Sequence, residues 1–213
     1  MSDTAIQTDI TGEAADMDKI IFATTNEGKM KEVREILSDM GVEILSLKDA
    51  GINAHIEENG STFEENAIIK AKTIMEMTGE AVLADDSGLE VDYINKEPGI
   101  YSARYMGEDT SYTIKNNNII ERLKDAKGDE RSARFVCAIA AALPDGTIYT
   151  TRGTIEGRIG YCERGDNGFG YDPIMYLPEY DKTTAELSMD EKNAISHRGK
   201  ALRLMKDKLK GIL

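Results

Sequence analysis

The chain has 213 residues, enough for one substantial hydrophobic core or for two lobes that share one. Its 26 basic and 39 acidic residues give a net charge of −13, which disfavours a protein that binds a nucleic-acid polymer through its phosphate backbone. No apolar run approaches the ~18 residues of a membrane span, and two cysteines are too few for a disulfide scaffold. We therefore predict a cytoplasmic protein without membrane contact, with an acidic, disordered extension at residues 1–17 and one domain at residues 18–213.

The first half of the chain alternates predicted strands and helices, which hydrophobic periodicity and capping residues delimit. In chain order we predict a strand at 19–24, a helix that ends at Gly41, a strand at 42–47, a helix from Ser61 or Thr62, a strand at 81–84 and a separate strand from 88 to 94. The second helix has a capping box, because Glu64 or Glu65 lies three residues after its cap.

The second half of the chain contains a predicted hairpin between two helices. In chain order we predict a turn-rich loop at 95–105, a helix at 111–127, strands at 133–143 and 147–159, a glycine-rich loop at 160–173 and a helix at 193–209. Early strand–helix alternation combined with a central antiparallel hairpin predicts an α/β fold with a mixed sheet, not a doubly wound Rossmann domain.

The first candidate site is the junction between the first strand and the first helix. Backbone N–H groups at a helix N-terminus, together with a lysine, favour the binding of phosphate. The junction is not a Walker A loop, because Ala23 replaces the first glycine and Met30 follows the lysine. A capped helix with a surface lysine is the alternative. The candidate residues are Thr24, Thr25, Asn26, Glu27, Gly28 and Lys29.

The second candidate is the pair Asp85-Asp86, at the end of a predicted buried strand. Two adjacent carboxylates are costly there unless a cation lies among them, and Mg²⁺ prefers carboxylate oxygens. Glu57 and Glu58, just before the second helix, could supply a further ligand. The alternative is a turn, for which Asp-Asp-Ser-Gly is also a suitable sequence.

Two candidates lie in the last third of the chain. The glycines around Phe169 would let a planar ligand stack on its ring, and Asp172 could accept a hydrogen bond from a ring N–H. The alternative places Phe169 in the core of a hairpin loop. His197 and Arg198, near Lys192, form a second polar group, whose alternative is a solvated helix face. Cys137 lies within a strand, where packing is favoured over a nucleophilic role.

Taken together, these segments resemble the inosine triphosphate pyrophosphatase family, in particular its bacterial dITP/XTP pyrophosphatases. The matching segments follow the order of the family and are residues 23–29 with Glu32, 62–71, 84–89 with 98–105, and 168–173 with 191–198. The resemblance implies a two-lobed α/β fold around a long mixed sheet with flanking helices, and an active site in the cleft between the lobes. It also implies a homodimer that uses Mg²⁺ and hydrolyses XTP, dITP and ITP, small-molecule nucleotides, to the monophosphate and pyrophosphate.

The resemblance implies a role for each candidate residue. Residues 24–29 and Lys70 would hold the phosphates, Asp86 would ligate Mg²⁺ and act as the base for water, and Glu57 or Glu58 would complete the metal site. The nucleotide contacts would come from Ser87, Phe169, Gly170, Tyr171, Asp172, Lys192, His197 and Arg198. In this scheme Phe169 stacks on the base, Asp172 accepts from N1–H, and Arg198 or His197 donates to O6, which rejects adenine.

Two other functions remain possible on the sequence. The same fold could hydrolyse another modified nucleotide, such as a pyrimidine triphosphate, or the chain could be a non-catalytic nucleotide-binding module. The pair Asp85-Asp86 and the upstream pair Glu57-Glu58 disfavour the second alternative, because a protein that only binds needs no carboxylate to activate water.

Overall fold

Seven strands form one mixed sheet in a computed structural model of the chain, which describes residues 18–212. The predicted extension at residues 1–17 lies outside the described residues. The strands are β1 (Lys19–Phe22), β2 (Glu43–Ser46), β3 (Val82–Val91), β4 (Ser132–Ala142), β5 (Ile148–Ile159), β6 (Met175–Leu177) and β7 (Lys182–Thr183). Their spatial order is β2-β1-β3-β4-β5-β6-β7, in which β1 pairs in parallel with β2 and β3 and every other pair is antiparallel. The predicted α/β class, mixed sheet and central hairpin are confirmed.

Five α-helices accompany the sheet within the described residues. They are α1 (Glu27–Ile36), α2 (Phe63–Thr78), α3 (Tyr112–Arg122), α4 (Met189–Ile195) and α5 (His197–Leu209). Helices α1 and α5 share one hydrophobic cluster with one face of the sheet, whereas α2 packs on the opposite face. In this part of the chain no helix is long and apolar enough to cross a membrane.

The hydrophobic core is divided along the three long strands. One end of β3 and β4 packs with α1, α5 and α2, and the other end packs with α3, β5 and β6 in a separate cluster. Residues 85–88 of β3 lie between these clusters and contribute to neither, since their side chains are polar or absent. The two cores therefore define two lobes, and the polar stretch of β3 lies at their junction.

Small side chains bring α2 close to the sheet. Ala138, Ala140 and Ala142 of β4 are fully buried on the face that α2 covers, where they meet Ala67 and Ala71 of the helix. Because alanine on both elements leaves little side-chain volume between them, the helix backbone approaches the strand closely.

The interpretation of residues 81–94 as two strands is wrong, and so is the alternative of a turn at Asp85–Gly88. Strand β3 runs without a break from Val82 to Val91 and pairs with β4 along its whole length. A pair of adjacent carboxylates is tolerated in a central strand here because each one has its own polar partners, described below. Gly88 is required in this strand, since a Cβ there would lie 2.3 Å from the carbonyl oxygen of Gly99.

The predicted single helix at 193–209 is also wrong at its beginning. Ser196 has an extended conformation, with φ −64° and ψ 156°, and separates α4 from α5. Its hydroxyl accepts a hydrogen bond from the Gly199 amide at 3.0 Å and caps α5. The start of α5 rests on β5 at Gly153, where a Cβ would lie 2.2 Å from the His197 carbonyl oxygen. Because α5 begins directly after this break, the break determines where the buried side chains of His197 and Arg198 lie.

Two other predicted helices, the first one and the one at 111–127, end earlier than expected. Helix α1 ends at Ile36, and Gly41 lies in the following turn with a φ of +74°. Helix α3, predicted over 111–127, is capped by Ser111 and ends at Arg122, five residues before Lys127.

Candidate functional site

The loop at residues 24–29 connects β1 to α1 and leaves the helix N-terminus open. The side chain of Asn26 caps the helix by accepting a hydrogen bond from the Lys29 amide at 3.0 Å. The Thr24 hydroxyl in turn accepts from the Asn26 amide at 3.2 Å. Thr25, Asn26, Glu27 and Gly28 are exposed. An anion could therefore reach the first amides of α1, where the helix dipole favours negative charge.

The two carboxylates of β3 leave the sheet on opposite faces, because consecutive side chains of a strand alternate. The Asp85 carboxylate points towards α1 and α5. It accepts hydrogen bonds from Lys29 Nζ at 3.0 Å, Arg198 Nη2 at 3.2 Å and the Ser87 hydroxyl at 2.9 Å. Burial opposes its ionisation, but the Lys29 and Arg198 cations outweigh burial and hold the pKa of Asp85 far below its ordinary value. Lys29 is thus half-buried and paired, not a lysine free on the surface.

Asp86 points towards α2 into a different environment. Its Oδ2 accepts a hydrogen bond from Asn66 Nδ2 at 3.1 Å, and its Oδ1 lies 3.6 Å from Lys70 Nζ. Lys70 donates to Glu58 Oε1 at 2.9 Å. Burial raises the pKa of Asp86, and the Glu58 charge adds to that effect, although Lys70 and Asn66 oppose it. Asp86 is therefore a buried carboxylate, and its partners only partly offset the cost of burying its negative charge.

Of the two glutamates before α2, Glu58 reaches this group of residues. Glu57 is exposed and forms no ion pair among residues 18–212. The sequence left the choice between them open.

The carboxylates of Asp86 and Glu58 flank the Lys70 ammonium, so a cation already lies between them. The described part of the chain contains no group of three His, Cys, Asp or Glu side chains arranged to hold a metal ion. Mg²⁺ does not need such a cage, since it is commonly held by one or two carboxylates, by water and by phosphate oxygens of the substrate. The donor set of Asp86 and Glu58 therefore fits Mg²⁺ bound together with a phosphorylated ligand.

A chain of alternating charges continues from Asp85 into the second half of the site. Arg198 donates to Glu32, and Glu32 accepts from Lys192 Nζ at 2.9 Å. Lys192 also donates to Asp172 Oδ2 at 2.7 Å. All of these side chains are buried. Three cations and three carboxylates from Lys29 to Asp172 thus compensate one another.

This chain of charges forms one side of a cleft of about 260 Å³. Phe169 lies over it, with its ring centre 5.0 Å from Lys192 Nζ and 5.7 Å from Arg198 Cζ. The ring also reaches the loop at residues 24–29, since a Cβ on Gly28 would lie 3.0 Å from Phe169 Cδ1. Phe169 is half-buried and lines the cleft, so it is not a core residue.

The residues around Phe169 are fixed by hydrogen bonds within the protein. Asp172 accepts from the Phe169 amide at 2.8 Å through Oδ2 and from the Thr184 hydroxyl at 2.8 Å through Oδ1. The Tyr171 hydroxyl donates to the carbonyl of Ser102 at 2.7 Å. Gly170 has a φ of +68°, a conformation that glycine adopts without strain. The cleft is therefore preformed, and a ligand must exchange partners with Asp172 to bond to it.

His197 lies at the back of the cleft and is buried, so the alternative of a solvated helix face is wrong for His197 and Arg198. Its ring stacks on Phe135, with 4.9 Å between the ring centres. Burial holds the pKa of His197 well below its ordinary value, and the Arg198 and Lys192 charges lower it further. Nδ1 of this neutral ring has no hydrogen-bond partner among the residues that the structure describes.

The structure brings nearly all sequence-predicted site residues to one region. Ser87, Phe169, Gly170, Tyr171, Asp172, Lys192, His197 and Arg198 border the cleft, and Lys70 and Asp86 lie just beyond it on the α2 face. Glu57 is the exception. Thr25 and Glu27 are at the helix N-terminus but make no side-chain hydrogen bond within residues 18–212.

Sequence reasoning gave no role to Glu32 and Asn66, which are central to the observed geometry. Both are polar residues at inward-facing positions of amphipathic helices. Glu32 lies between the buried Met30 and Val33, and Asn66 precedes the buried Ala67. A polar side chain on an apolar helix face was the available signal, because such a group is buried only when it has a polar partner.

Comparisons with known proteins agree with this architecture. The Ham1 family matches residues 20–208 of the chain. The dITP/XTP pyrophosphatase of Clostridium perfringens is 51% identical over 203 residues, which cover 92% of this chain and 100% of the relative. The dITP/XTP pyrophosphatase of Exiguobacterium sibiricum is 51% identical over 185 residues, with 87% and 93% covered.

Solved structures give the same result for the fold. The Ham1 protein of Staphylococcus aureus superposes with a TM-score of 0.81 at 41% identity, over 91% of this chain and 98% of the other. A HAM1 protein from Coxiella burnetii gives a TM-score of 0.83 at 41% identity, over 92% and 100%.

Proposed function

The chain belongs to the Ham1 family. We propose that it hydrolyses the deaminated-purine nucleoside triphosphates XTP, dITP and ITP to the monophosphate and pyrophosphate. One observation carries the proposal. A helix N-terminus with Lys29, a carboxylate pair at Asp86 and Glu58, and a preformed cleft beneath Phe169 all meet at the junction of the two lobes. A nucleotide needs these three environments for its phosphates, its reacting phosphorus and its base.

The triphosphate would lie across the edge of β3. Strand β1 pairs with β3 only as far as Leu83, so the edge of β3 beyond it is not covered by β1. Lys29 lies on one face of the sheet at this point and Lys70 on the other. A phosphate chain that passes over the edge would meet the α1 amides and Lys29 first, and then Lys70.

Hydrolysis requires a water molecule to attack the α-phosphorus while the bond to the β-phosphate breaks. Asp86 would accept the proton from that water, for which its raised pKa suits it better than that of an ordinary aspartate. Asp86 and Glu58 would also hold Mg²⁺, which when bound neutralises charge that develops on the phosphates and orients the water. The products are the nucleoside monophosphate and pyrophosphate.

Selection of the base would rest on the groups beneath Phe169. A 6-keto purine offers a donor at N1 and an acceptor at O6, whereas adenine offers the reverse. Asp172 would accept from N1–H, and Arg198 or His197 would donate to O6, with Lys192 as a further contact. Because Asp172 and Arg198 are bonded to other protein groups, these contacts require an exchange of partners that a mismatched base cannot complete. Guanine would be rejected through its 2-amino group.

We also propose that the protein is a cytoplasmic homodimer, which the resemblance of its sequence implies. The mass of the full chain in solution, measured by light scattering after size-exclusion chromatography, tests the dimer. A mass near the 23.5 kDa of one chain would contradict it.

Product analysis tests the function directly. The protein would be incubated with Mg²⁺ and, in parallel, with dITP, XTP, dGTP, dATP and dUTP. We expect monophosphate and pyrophosphate from dITP and XTP, with little product from dGTP or dATP. Release of orthophosphate would contradict attack at the α-phosphorus, faster hydrolysis of dUTP would favour a pyrimidine substrate, and binding without turnover would favour a non-catalytic module.

A further inference from the structure

Arg104 directly follows Ser102 and Ala103, which line the cleft and whose backbone is fixed by hydrogen bonds. The Ser102 hydroxyl accepts from the Leu89 amide at 2.9 Å, and the Ala103 carbonyl accepts from Lys115 Nζ at 2.7 Å. These bonds, with the Tyr171 hydroxyl on the Ser102 carbonyl, fix the backbone just before Arg104 to β3, α3 and the loop of Phe169. The position from which the Arg104 side chain extends is therefore well defined.

Unlike the backbone before it, the guanidinium of Arg104 makes only long polar contacts, both of them to Glu58. Its Nη1 lies 3.8 Å from Glu58 Oε2, and its Nη2 lies 3.5 Å from the Glu58 carbonyl oxygen. The side chain is 32% exposed and rests over the ring of Tyr101 at 4.9 Å. No closer carboxylate faces Arg104 among residues 18–212. The arginine is thus a cation at the edge of the site without a strong partner.

Glu58, the acid that Arg104 faces, is already paired with a second cation. Lys70 donates to Glu58 Oε1 at 2.9 Å, so the shorter and stronger bond of the carboxylate goes to the lysine. In the proposed function Glu58 turns to Mg²⁺. The long contact to Arg104 would then be lost first, and the guanidinium would be available to a phosphate next to Lys70.

We propose that Arg104 binds the phosphate oxygens of the pyrophosphate part of the substrate. This inference rests on the proposed function, because it assigns Glu58 to the metal. A guanidinium presents two parallel N–H groups that match two phosphate oxygens, and an arginine without a close carboxylate loses little when it forms those bonds. Lys29 and Arg198 differ from it, since both are held by Asp85 on the opposite face of β3.

The test measures ligand binding, not turnover. Inorganic pyrophosphate with Mg²⁺ and, separately, inosine monophosphate would be titrated calorimetrically into the full-length protein and its Arg104→Gln variant. Arg152→Gln is the matched control, because Arg152 forms an exposed pair with Glu64 away from the cleft. We expect Arg104→Gln to weaken pyrophosphate binding at least tenfold and to leave inosine monophosphate binding and the melting temperature within error of the unmodified protein.

Two results would overturn the proposal. Unchanged pyrophosphate affinity would mean that Arg104 does not touch the phosphates, and an equal loss for both ligands would mean that it only supports the cleft. Failure of the proposed function would be visible elsewhere, as the absence of pyrophosphate from dITP in the unmodified protein.

Discussion

Asp85 and Asp86 are consecutive residues of one central strand, yet their carboxylates face opposite sides of the sheet and opposite electrostatic conditions. Asp85 lies between two cations of the α1 and α5 face, which lower its pKa despite its burial. Asp86 faces α2, where burial raises its pKa and its nearest cation is 3.6 Å away. Neighbours of the same residue type therefore differ in how their charge is compensated: Asp85 is compensated by two cations of the site, whereas Asp86 is the residue that we propose as the base.

Replacement of Asp86 by Asn is expected to remove activity without loss of stability. A general base contributes about 10²- to 10⁴-fold to a rate, so turnover of dITP should fall by at least about 10²-fold. A raised pKa in the folded state means that the charged carboxylate is unfavourable at neutral pH and that its protonation on acidification favours the folded state. The melting temperature at pH 7 should therefore not decrease.

Steady-state kinetics and thermal unfolding would check both parts. Glu90→Gln, in the same strand but beside Arg134, is the control and should keep normal kinetics. Near-normal kcat in Asp86→Asn would show that the proton acceptor is another group.

Replacement of Asp85 by Asn, unlike that of Asp86, is expected to lower the free energy of unfolding. The change leaves the fully buried Arg198 with one carboxylate partner in place of two, and deprives Lys29 of its ion pair. Removal of one member of a buried ion pair costs about 3–5 kcal/mol. Urea denaturation at pH 7 would measure the loss, and a free energy of unfolding within about 1 kcal/mol of the unmodified protein would contradict this account.

Gly28→Ala tests whether the Phe169 ring must lie against the loop at residues 24–29. The added methyl would lie 3.0 Å from Phe169 Cδ1, so the ring has to move, whereas alanine itself suits a helix better than glycine. We expect unchanged stability and a decrease of about tenfold in kcat/KM for dITP, since small displacements of binding groups are costly. Phe169→Ala should show a similar or larger loss, and normal kinetics in both variants would exclude a stacking role.

His197 should remain neutral across the physiological pH range. Burial lowers its pKa well below the ordinary value of about 6.5. Below that pH the unfolded chain takes up a proton that the folded protein does not, so this residue makes the protein less stable as the pH falls. The NMR signals of His197, one of the two histidines, should show no titration midpoint near pH 6.5, and a midpoint there would contradict its burial.

The sequence allowed prediction of the class of fold because periodicity and caps are local signals. Thr62, Ser111 and Asn26 cap the helices near the places predicted for them. The continuity of β3 was not predictable in this way. Asp-Asp-Ser-Gly has the composition of a turn, and only the distant partners Lys29, Asn66 and Arg198 make it tolerable within a strand.

The break at Ser196 escaped prediction for a similar reason. The apolar positions Ile195, Leu202, Met205 and Leu209 continue with helical spacing, so the pattern alone favours one helix. The break between α4 and α5 coincides with a contact between the start of α5 and Gly153 of β5. Gly153 is distant in sequence, so the local pattern does not reveal this contact. Likewise, the residue types near Phe169 led to the prediction of a base pocket. The hydrogen bonds that these residues form with one another could not be predicted, because they depend on the positions of side chains and not on sequence spacing.

The alanines of β4 have a consequence for chemistry that lies far from any substrate contact. They fix the depth at which α2 rests on the sheet, and α2 carries both Asn66 and Lys70 to Asp86, which pairs with Ala138 across the strands. A bulkier side chain at Ala138 would lift the helix and lengthen the 3.1 Å bond between Asn66 and Asp86. The volume of the side chains between α2 and β4 therefore influences the pKa of Asp86. If Asp86 is the base, as we propose, substitutions in this apolar layer would change turnover without altering any residue of the cleft.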